Sequence, residues 1–192
     1  MSDPHEHLRA DPHLGPVVEE HGDLEIDPAD DVFARLVTSI VRQQVSMAAA
    51  AATRERLVEA VELTPAGVLA AEESTLRDAG LSRQKASYVR NVARAFQEEG
   101  YDRDTFAAMS NEAIREELTA IAGVGDWTAD MQLIFALGRE DVFPVGDLGI
   151  RAGMVALFPD LDREDRAAMV ERSEAWRPYR SYASLYLWRL SD

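Results

Sequence analysis

The residues best placed to do chemistry in this chain are a glycine-rich turn and, beyond it, a lone carboxylate. The turn lies in Leu118-Thr119-Ala120-Ile121-Ala122-Gly123-Val124-Gly125-Asp126-Trp127-Thr128-Ala129, and the carboxylate is Asp147 in Val145-Gly146-Asp147-Leu148-Gly149-Ile150. Gly123 and Gly125 carry no side chains, so backbone can come very close to a ligand there. The helix expected after them opens with amide groups that suit an anion such as phosphate. A plain helical hairpin, with the glycines only making its turn, explains the same residues. Asp147 follows Gly146 at the start of another expected helix, where a carboxylate caps the first turn for ~1 kcal/mol. From such a rigid perch it can also stabilise developing positive charge or activate water. Asp126, Asp130 and Asp141 are weaker candidates, read as solvated charges at helix ends.

Helices must hold these groups in place. Ile114, Leu118 and Ile121 recur at helical spacing on one face, and Ser110 is placed to cap that helix, with Glu112 in its first turn. Met131-Gln132-Leu133-Ile134-Phe135-Ala136-Leu137 is apolar nearly all round, which predicts a buried helix. Upstream, residues 1–30 hold all four histidines, His5, His7, His13 and His21. That segment reads as a loose, solvated start plus one helix from about Pro12 to His21. Asp27-Pro28 opens the next helix, with Val32, Leu36 and Ile40 on one face. Ser46 caps a helix through Glu59, Thr64-Pro65 starts another, Gly80 closes a short one, and Ser82 opens one running through Phe96 to Gly100. Downstream, helices are expected from Leu148 to Phe158, from Asp162 to Trp176 and from Pro178 to about Leu190. No strand, repeat or low-complexity linker is read, and the fold class is all-α.

Composition bounds the function. A chain of 192 residues, 46% hydrophobic, builds one domain or two small subdomains around a real core. The absence of cysteine excludes disulfides, thiolate zinc sites and cysteine-held iron–sulfur clusters. No run is apolar and long enough to span a membrane, and Met1-Ser2-Asp3-Pro4-His5-Glu6 is no signal peptide, so a cytoplasmic location is expected. The net charge is -15, and Lys85 is the sole lysine. A nucleic-acid binder normally shows a basic footprint. Either the acid excludes DNA, leaving a protein or small molecule as partner, or the surface suits a cell interior rich in salt, where self-repulsion is screened. The replacement of lysine by arginine resembles a halophilic habit and favours the second.

Gly123-Val124-Gly125-Asp126-Trp127-Thr128-Ala129 with the trailing Asp147 resembles the helix-hairpin-helix DNA glycosylases, within them the 3-methyladenine DNA glycosylase II group. Three further stretches agree. Ser39-Ile40-Val41-Arg42-Gln43-Gln44-Val45-Ser46 is similar to the family's segment that enters the DNA minor groove. Asp141-Val142-Phe143-Pro144-Val145-Gly146-Asp147-Leu148-Gly149-Ile150 resembles its catalytic-aspartate segment. Trp176-Arg177-Pro178-Tyr179-Arg180-Ser181-Tyr182-Ala183, with Trp188 beyond, resembles its closing helix. The resemblance runs from about residue 10 to 190. It implies one glycosylase domain, 1–192, made of two helical subdomains with a cleft between them. One would span about 36–146 with its hairpin at 111–138, and the other about 10–35 plus 147–192.

The resemblance implies a site as well. Asp147 is its catalytic carboxylate, and Trp127, Trp188 and Tyr182 line its base pocket. Gln44 matches the residue that fills the gap left in the base stack. Gln43, Ser46, Gly123, Val124, Gly125 and Thr128 contact DNA. A monovalent cation, Na+ or K+, sits on the backbone carbonyls of Thr119, Ile121 and Val124, and no cofactor serves catalysis. Trp127 stands where bifunctional members carry a nucleophilic lysine, which implies no lyase activity. The four-cysteine iron–sulfur cluster of the endonuclease-III-like branch is ruled out, and the first thirty residues are too few for the extra β-rich domain of bacterial members. Asp126 stands where a phosphate should approach, so it must point away or be screened. The expected activity is hydrolytic release of alkylated purines, such as 3-methyladenine and 7-methylguanine, from double-stranded DNA by a monomer. Such bases are cationic and leave without protonation; an aromatic face holds them for ~0.5–2 kcal/mol, and the nucleotide must be flipped out to be reached. The alternatives are a glycosylase for deaminated or oxidised bases, or a non-catalytic hairpin module that binds DNA or a repair partner.

Overall fold

Capping residues set most of the element starts. Asp3, Asp31, Ser46, Thr64, Ser82, Asp102, Ser110, Asp147 and Asp165 each turn a side-chain oxygen onto a first-turn amide of the helix that follows. The computed structural model describes residues 3–191, and among these every regular element is helical. In chain order they are α1 (Pro4–Arg9), α2 (Gly15–His21), α3 (Val32–Arg42), α4 (Met47–Ala60), α5 (Pro65–Ala70), α6 (Glu73–Asp78) and α7 (Arg83–Glu99). There follow α8 (Arg103–Ala107), α9 (Asn111–Ala120), α10 (Asp126–Phe135), α11 (Leu148–Leu157), α12 (Arg166–Ser173), a 3-10 turn at Glu174–Trp176, and α13 (Arg180–Leu190). No helix among the described residues is long and apolar enough to cross a membrane.

The chain divides into two units, one of Pro28–Leu137 and one of Met1–Asp27 with Gly138–Asp192. In the first, α3 buries Val32, Phe33, Leu36, Val37, Ile40 and Val41 against α7 and α10. α7 answers with Ala86, Val89, Val92, Ala93 and Phe96, and α10 is buried continuously from Thr128 to Ile134. The fully buried Gln132 donates from Nε2 to the Val32 carbonyl at 2.6 Å, which ties α10 to the start of α3. In the second unit, α1 and α2 contribute Leu8, Val17 and Val18 to a core shared with Ile150 and Met154 of α11 and with Ala183, Tyr186 and Leu187 of α13. Gly153 lets α11 and α13 meet, because a Cβ there would lie 2.2 Å from the Leu187 carbonyl oxygen.

The observed boundaries differ from 36–146. Residues 28–35 join the first unit because Val32 and Phe33 are buried in its core and the Ala29 amide donates to the Phe135 carbonyl at 2.9 Å. Residues 138–146 leave it because Ser181 of α13 holds them: its amide donates to Glu140 O at 2.8 Å, and its hydroxyl donates to Arg139 O at 2.6 Å.

The N-terminal segment is packed rather than loose. α1 lays His5 and Leu8 against the second core; His5 is 3% exposed, with its ring edge-on to Tyr182 and Tyr186 and its Nε2 3.0 Å from the Leu24 carbonyl. His7 meets Tyr179, and His13 meets Phe158. α2 starts at Gly15, since Asp11 spends its carboxylate on the amides of His13 and Leu14. α3 starts at Val32 under an Asp31 cap rather than at Asp27. The span from Asp162 to Trp176 resolves into α12 and the 3-10 turn, the last helix starts at Arg180 rather than Pro178, and α8 was not foreseen.

Candidate functional site

In the first unit, α9, the turn 121–125 and α10 form the hairpin. Ile114 and Leu118 are fully buried, Ile121 and Val124 pin the turn from inside, and the Val124 amide donates to the Ile121 carbonyl at 3.0 Å. Gly123 has φ +107°, and a Cβ there would sit 2.2 Å from Cγ of Tyr88, so glycine is required on both counts. Asn91 of α7 donates from Nδ2 to the Ala122 carbonyl at 3.2 Å. The N-cap of α10 is the exposed Gly125, which supplies no capping side chain. A helix mouth of this kind suits an anion approaching along the axis. Asp126, the first residue of α10, is exposed.

Gln43, Thr128 and Ser46, all expected to contact DNA, have hydrogen-bond partners within the protein. Gln43 donates from Nε2 to the Gly123 carbonyl at 3.1 Å and to the Thr128 hydroxyl at 3.3 Å, and Thr128 is 2% exposed. The amide nitrogen is drawn inward because it meets two acceptors there. Ser46 commits its hydroxyl to capping α4, accepting from the Ala49 amide at 3.3 Å. Gln44 is exposed and is the one non-glycine with positive φ, 56°, among the described residues. Asp130 is no solvated helix-end charge: it is buried and accepts from Arg115 Nε at 2.7 Å. Burial pushes its carboxyl up from the usual range, and the Arg115 guanidinium pulls against that shift.

The carbonyls of Thr119 and Ile121 stand at the C-terminal end of α9, where a helix leaves carbonyls without intrahelical partners and carries partial negative charge. Among the described residues no group of three histidine or acidic side chains could hold a metal ion. The oxygens that the turn itself presents are neutral backbone carbonyls.

In the second unit, Asp147 is the N-cap of α11. Its Oδ1 accepts from the Ile150 amide at 3.0 Å and from Trp188 Nε1 at 2.9 Å. Its own amide donates to the Pro144 carbonyl at 2.9 Å, closing the turn that presents it. Gly149 makes this geometry possible: a Cβ would meet Trp188 Cδ1 at 2.8 Å, Asp147 Oδ1 at 3.1 Å and Ser191 Oγ at 3.2 Å. Trp188, half-buried, thus serves as the carboxylate's hydrogen-bond donor. Its ring also borders a hollow of about 200 Å³ with Leu24, Glu25 and Leu185. Tyr182 is half-buried and stands edge-on to His5 and Tyr179, with its phenol pushed up by burial. Leu148, next to the carboxylate, is 63% exposed. Asp141 is no solvated charge either; it accepts from Arg177 Nη1 and Arg180 Nε, both at 2.6 Å, the first arginine just after the 3-10 turn and the second opening α13.

Asp147, Trp188 and Tyr182 therefore belong to one unit, and Trp127, Gln44 and the hairpin to the other. The sequence reading missed Gly149, Tyr88 and Asn91. Only Gly149 left a signal, since a glycine in the first turn after a capping aspartate weakens the helix unless close approach demands it.

Comparisons with known proteins identify the family. The family model for the HhH-GPD superfamily of base excision DNA repair proteins matches residues 37–178. YfjP of Bacillus subtilis, whose name places it among the DNA-3-methyladenine glycosylases, is 31% identical over 185 residues, or 92% of this chain. The chain spans 64% of that relative's length. The structure of a DNA-3-methyladenine glycosidase from Bacillus halodurans is 32% identical and superposes with a TM-score of 0.88, covering 99% of this chain and 90% of the other. A 3-methyladenine DNA glycosylase from Schizosaccharomyces pombe, solved in complex with abasic DNA, is 27% identical with a TM-score of 0.87, over 98% and 96% of the two chains. With the family model matched over most of its length and these likenesses beside it, the chain belongs to the HhH-GPD superfamily of base excision DNA repair proteins.

Proposed function

We propose that this protein is a monofunctional DNA glycosylase that hydrolyses the N-glycosidic bond of alkylated purines in double-stranded DNA. The observation that carries the reading is the Asp147 carboxylate, held at a helix mouth by Trp188 Nε1 and the Ile150 amide. Breaking the bond builds positive charge on the sugar as the base departs. A carboxylate fixed beside that sugar stabilises the charge without reorganising, and orients the water that completes hydrolysis. A cationic 3-methyladenine or 7-methylguanine leaves without a general acid. Trp188, which donates to the Asp147 carboxylate, supplies an aromatic face for such a base. Relatives named DNA-3-methyladenine glycosylases support this substrate class.

Grip on the DNA falls to the hairpin mouth at Gly123–Gly125, with Gln44 filling the space that the flipped nucleotide leaves. The carbonyls of Thr119, Ile121 and Val124 would hold the monovalent cation, whose charge would draw a phosphate to the turn. The sole lysine, Lys85, donates from Nζ to the Val41 carbonyl at 2.7 Å, an engagement that supports the absence of Schiff-base chemistry. The protein would act as a cytoplasmic monomer adapted to concentrated salt, to which its net charge of -15 is suited. Release of free 3-methyladenine and 7-methylguanine from methylated duplex DNA, separated by chromatography and assayed in potassium chloride on the order of 1 M, tests the activity. Release of neither base would refute it.

A further inference from the structure

The loop Gln44–Ser46 and Met47, the first residue of α4, are exposed throughout, and two of these residues are apolar, Val45 at 46% and Met47 at 67% exposure. Gln44 adopts a left-handed conformation, φ 56°, that a residue with a Cβ rarely takes. A solvated loop with that backbone keeps its shape only if something behind it is fixed. Here that support is the hairpin itself. Gln43 turns inward, and its single amide nitrogen reaches both the Gly123 carbonyl and the Thr128 hydroxyl, at 3.1 and 3.3 Å. Only a donor satisfies that carbonyl, so a carboxylate at position 43 would face it with like charge.

One face of α7 supports both sides of the bridge. Lys85, Tyr88 and Asn91 recur three residues apart and lie on that face. Lys85 holds the Val41 carbonyl at the end of α3, Tyr88 lies against Gly123, and Asn91 holds the Ala122 carbonyl at 3.2 Å. The end of α3, the loop and the hairpin turn are thus fastened to a common helix, with Gln43 as the direct strut between loop and turn.

We infer that Gln43 is a positioning residue for base extrusion, registering the Gln44–Ser46 loop to the phosphate-gripping turn so that both act on DNA as one rigid body. The inference rests on the DNA-glycosylase reading. Filling a base stack pushes back on whatever fills it. A loop that yields would bind DNA without driving the nucleotide out, and the loss would appear only where extrusion is costly.

The test compares Gln43→Ala and Thr128→Val with the wild type on two duplexes, one with the lesion in a stable pair and one with it opposite a mismatched base, where extrusion costs less. Extrusion is read directly from the fluorescence of a 2-aminopurine beside the lesion, and base release under single-turnover conditions is read alongside. Gln43→Ala should lose about tenfold or more in extrusion and release on the paired lesion and under about threefold on the mismatched one, a difference set by the unstacking energy. Thr128→Val, which removes one of the two acceptors with little change of shape, should fall in the same direction by less. Equal losses on both duplexes, or no loss on either, would overturn the role assigned to Gln43. Wild-type protein that extrudes the nucleotide but releases no base would instead refute the glycosylase reading and leave the positioning claim to the fluorescence.

Discussion

Replacing Gly149 with alanine separates the stability of the fold from the geometry of the carboxylate. A Cβ there would press on Trp188 Cδ1 at 2.8 Å and on Asp147 Oδ1 at 3.1 Å, both tighter than ordinary contact. Two opposing effects bear on stability. Alanine in place of glycine in a helix gains up to ~1 kcal/mol, and overpacking a fitted contact costs ~1–3 kcal/mol. The net change is a loss of about 0–2 kcal/mol, which a well-folded domain tolerates. Activity should suffer more. The bond from Trp188 Nε1 to the carboxylate, 2.9 Å long, is charge-assisted, and such bonds contribute ~1.5–3 kcal/mol. If it holds Asp147 in its working position, losing it slows base release by about 10- to 150-fold. Trp188→Phe removes the same donor and keeps most of the ring. The assay is single-turnover release from methylated DNA by Gly149→Ala, Trp188→Phe and the double variant, with urea unfolding of each. The double variant should be little worse than the worse single one, because both substitutions break one bond. Wild-type release by Gly149→Ala, or losses that simply add, would refute the reasoning.

Three further outcomes follow from the same geometry. Borohydride treatment with lesion DNA should trap no covalent adduct; a trapped adduct would overturn the monofunctional mechanism and turn attention to Lys85. Arg115→Leu strands the Asp130 carboxylate, whose partner side chain is 30% exposed, and should cost about 1–3 kcal/mol at neutral pH, discounted from a fully buried pair for solvent screening. Burial already holds the Asp130 pKa above its unfolded value of 3.8, so protonation favours the native state, and the variant's deficit in unfolding free energy should shrink as the pH falls towards that value; a deficit independent of pH would contradict this. Melting temperature and base release should both rise from dilute buffer into potassium chloride on the order of 1 M, as screening relieves a net charge of -15. An optimum near roughly 0.1 M salt would defeat the halophilic account.

Local chemistry was legible in the sequence, and long-range partnership was not. Ser46, Thr64, Ser82, Ser110 and Asp147 announce their helices because a cap acts within three residues of itself. The burial of Met131 to Ile134 was readable from the nearly all-round apolarity of Met131–Leu137, whereas that of Thr128 and Asp130 was not. Nothing nearby told that His5 would pack on Tyr182 and Tyr186, more than 170 residues away, or that Asp130 and Asp141 would find Arg115, Arg177 and Arg180, 15 to 39 residues away. The contact between Gln43 and Thr128, both expected to meet DNA, was hidden for the same reason, since it spans 85 residues. Trp188 could be read as an aromatic face, but its bond to Asp147 appears only once α13 lies against α11.

The central claim is that Asp147 carries the chemistry, and Asp147→Asn addresses it directly. Asparagine keeps the shape and an oxygen for the Ile150 amide, so fold and DNA binding should stay near wild type while the negative charge is lost. Single-turnover release of 7-methylguanine and 3-methyladenine should drop by on the order of 10²–10³ or more, the usual consequence of removing a preorganised charge-stabilising group. Release at the wild-type rate by the folded variant would contradict the account.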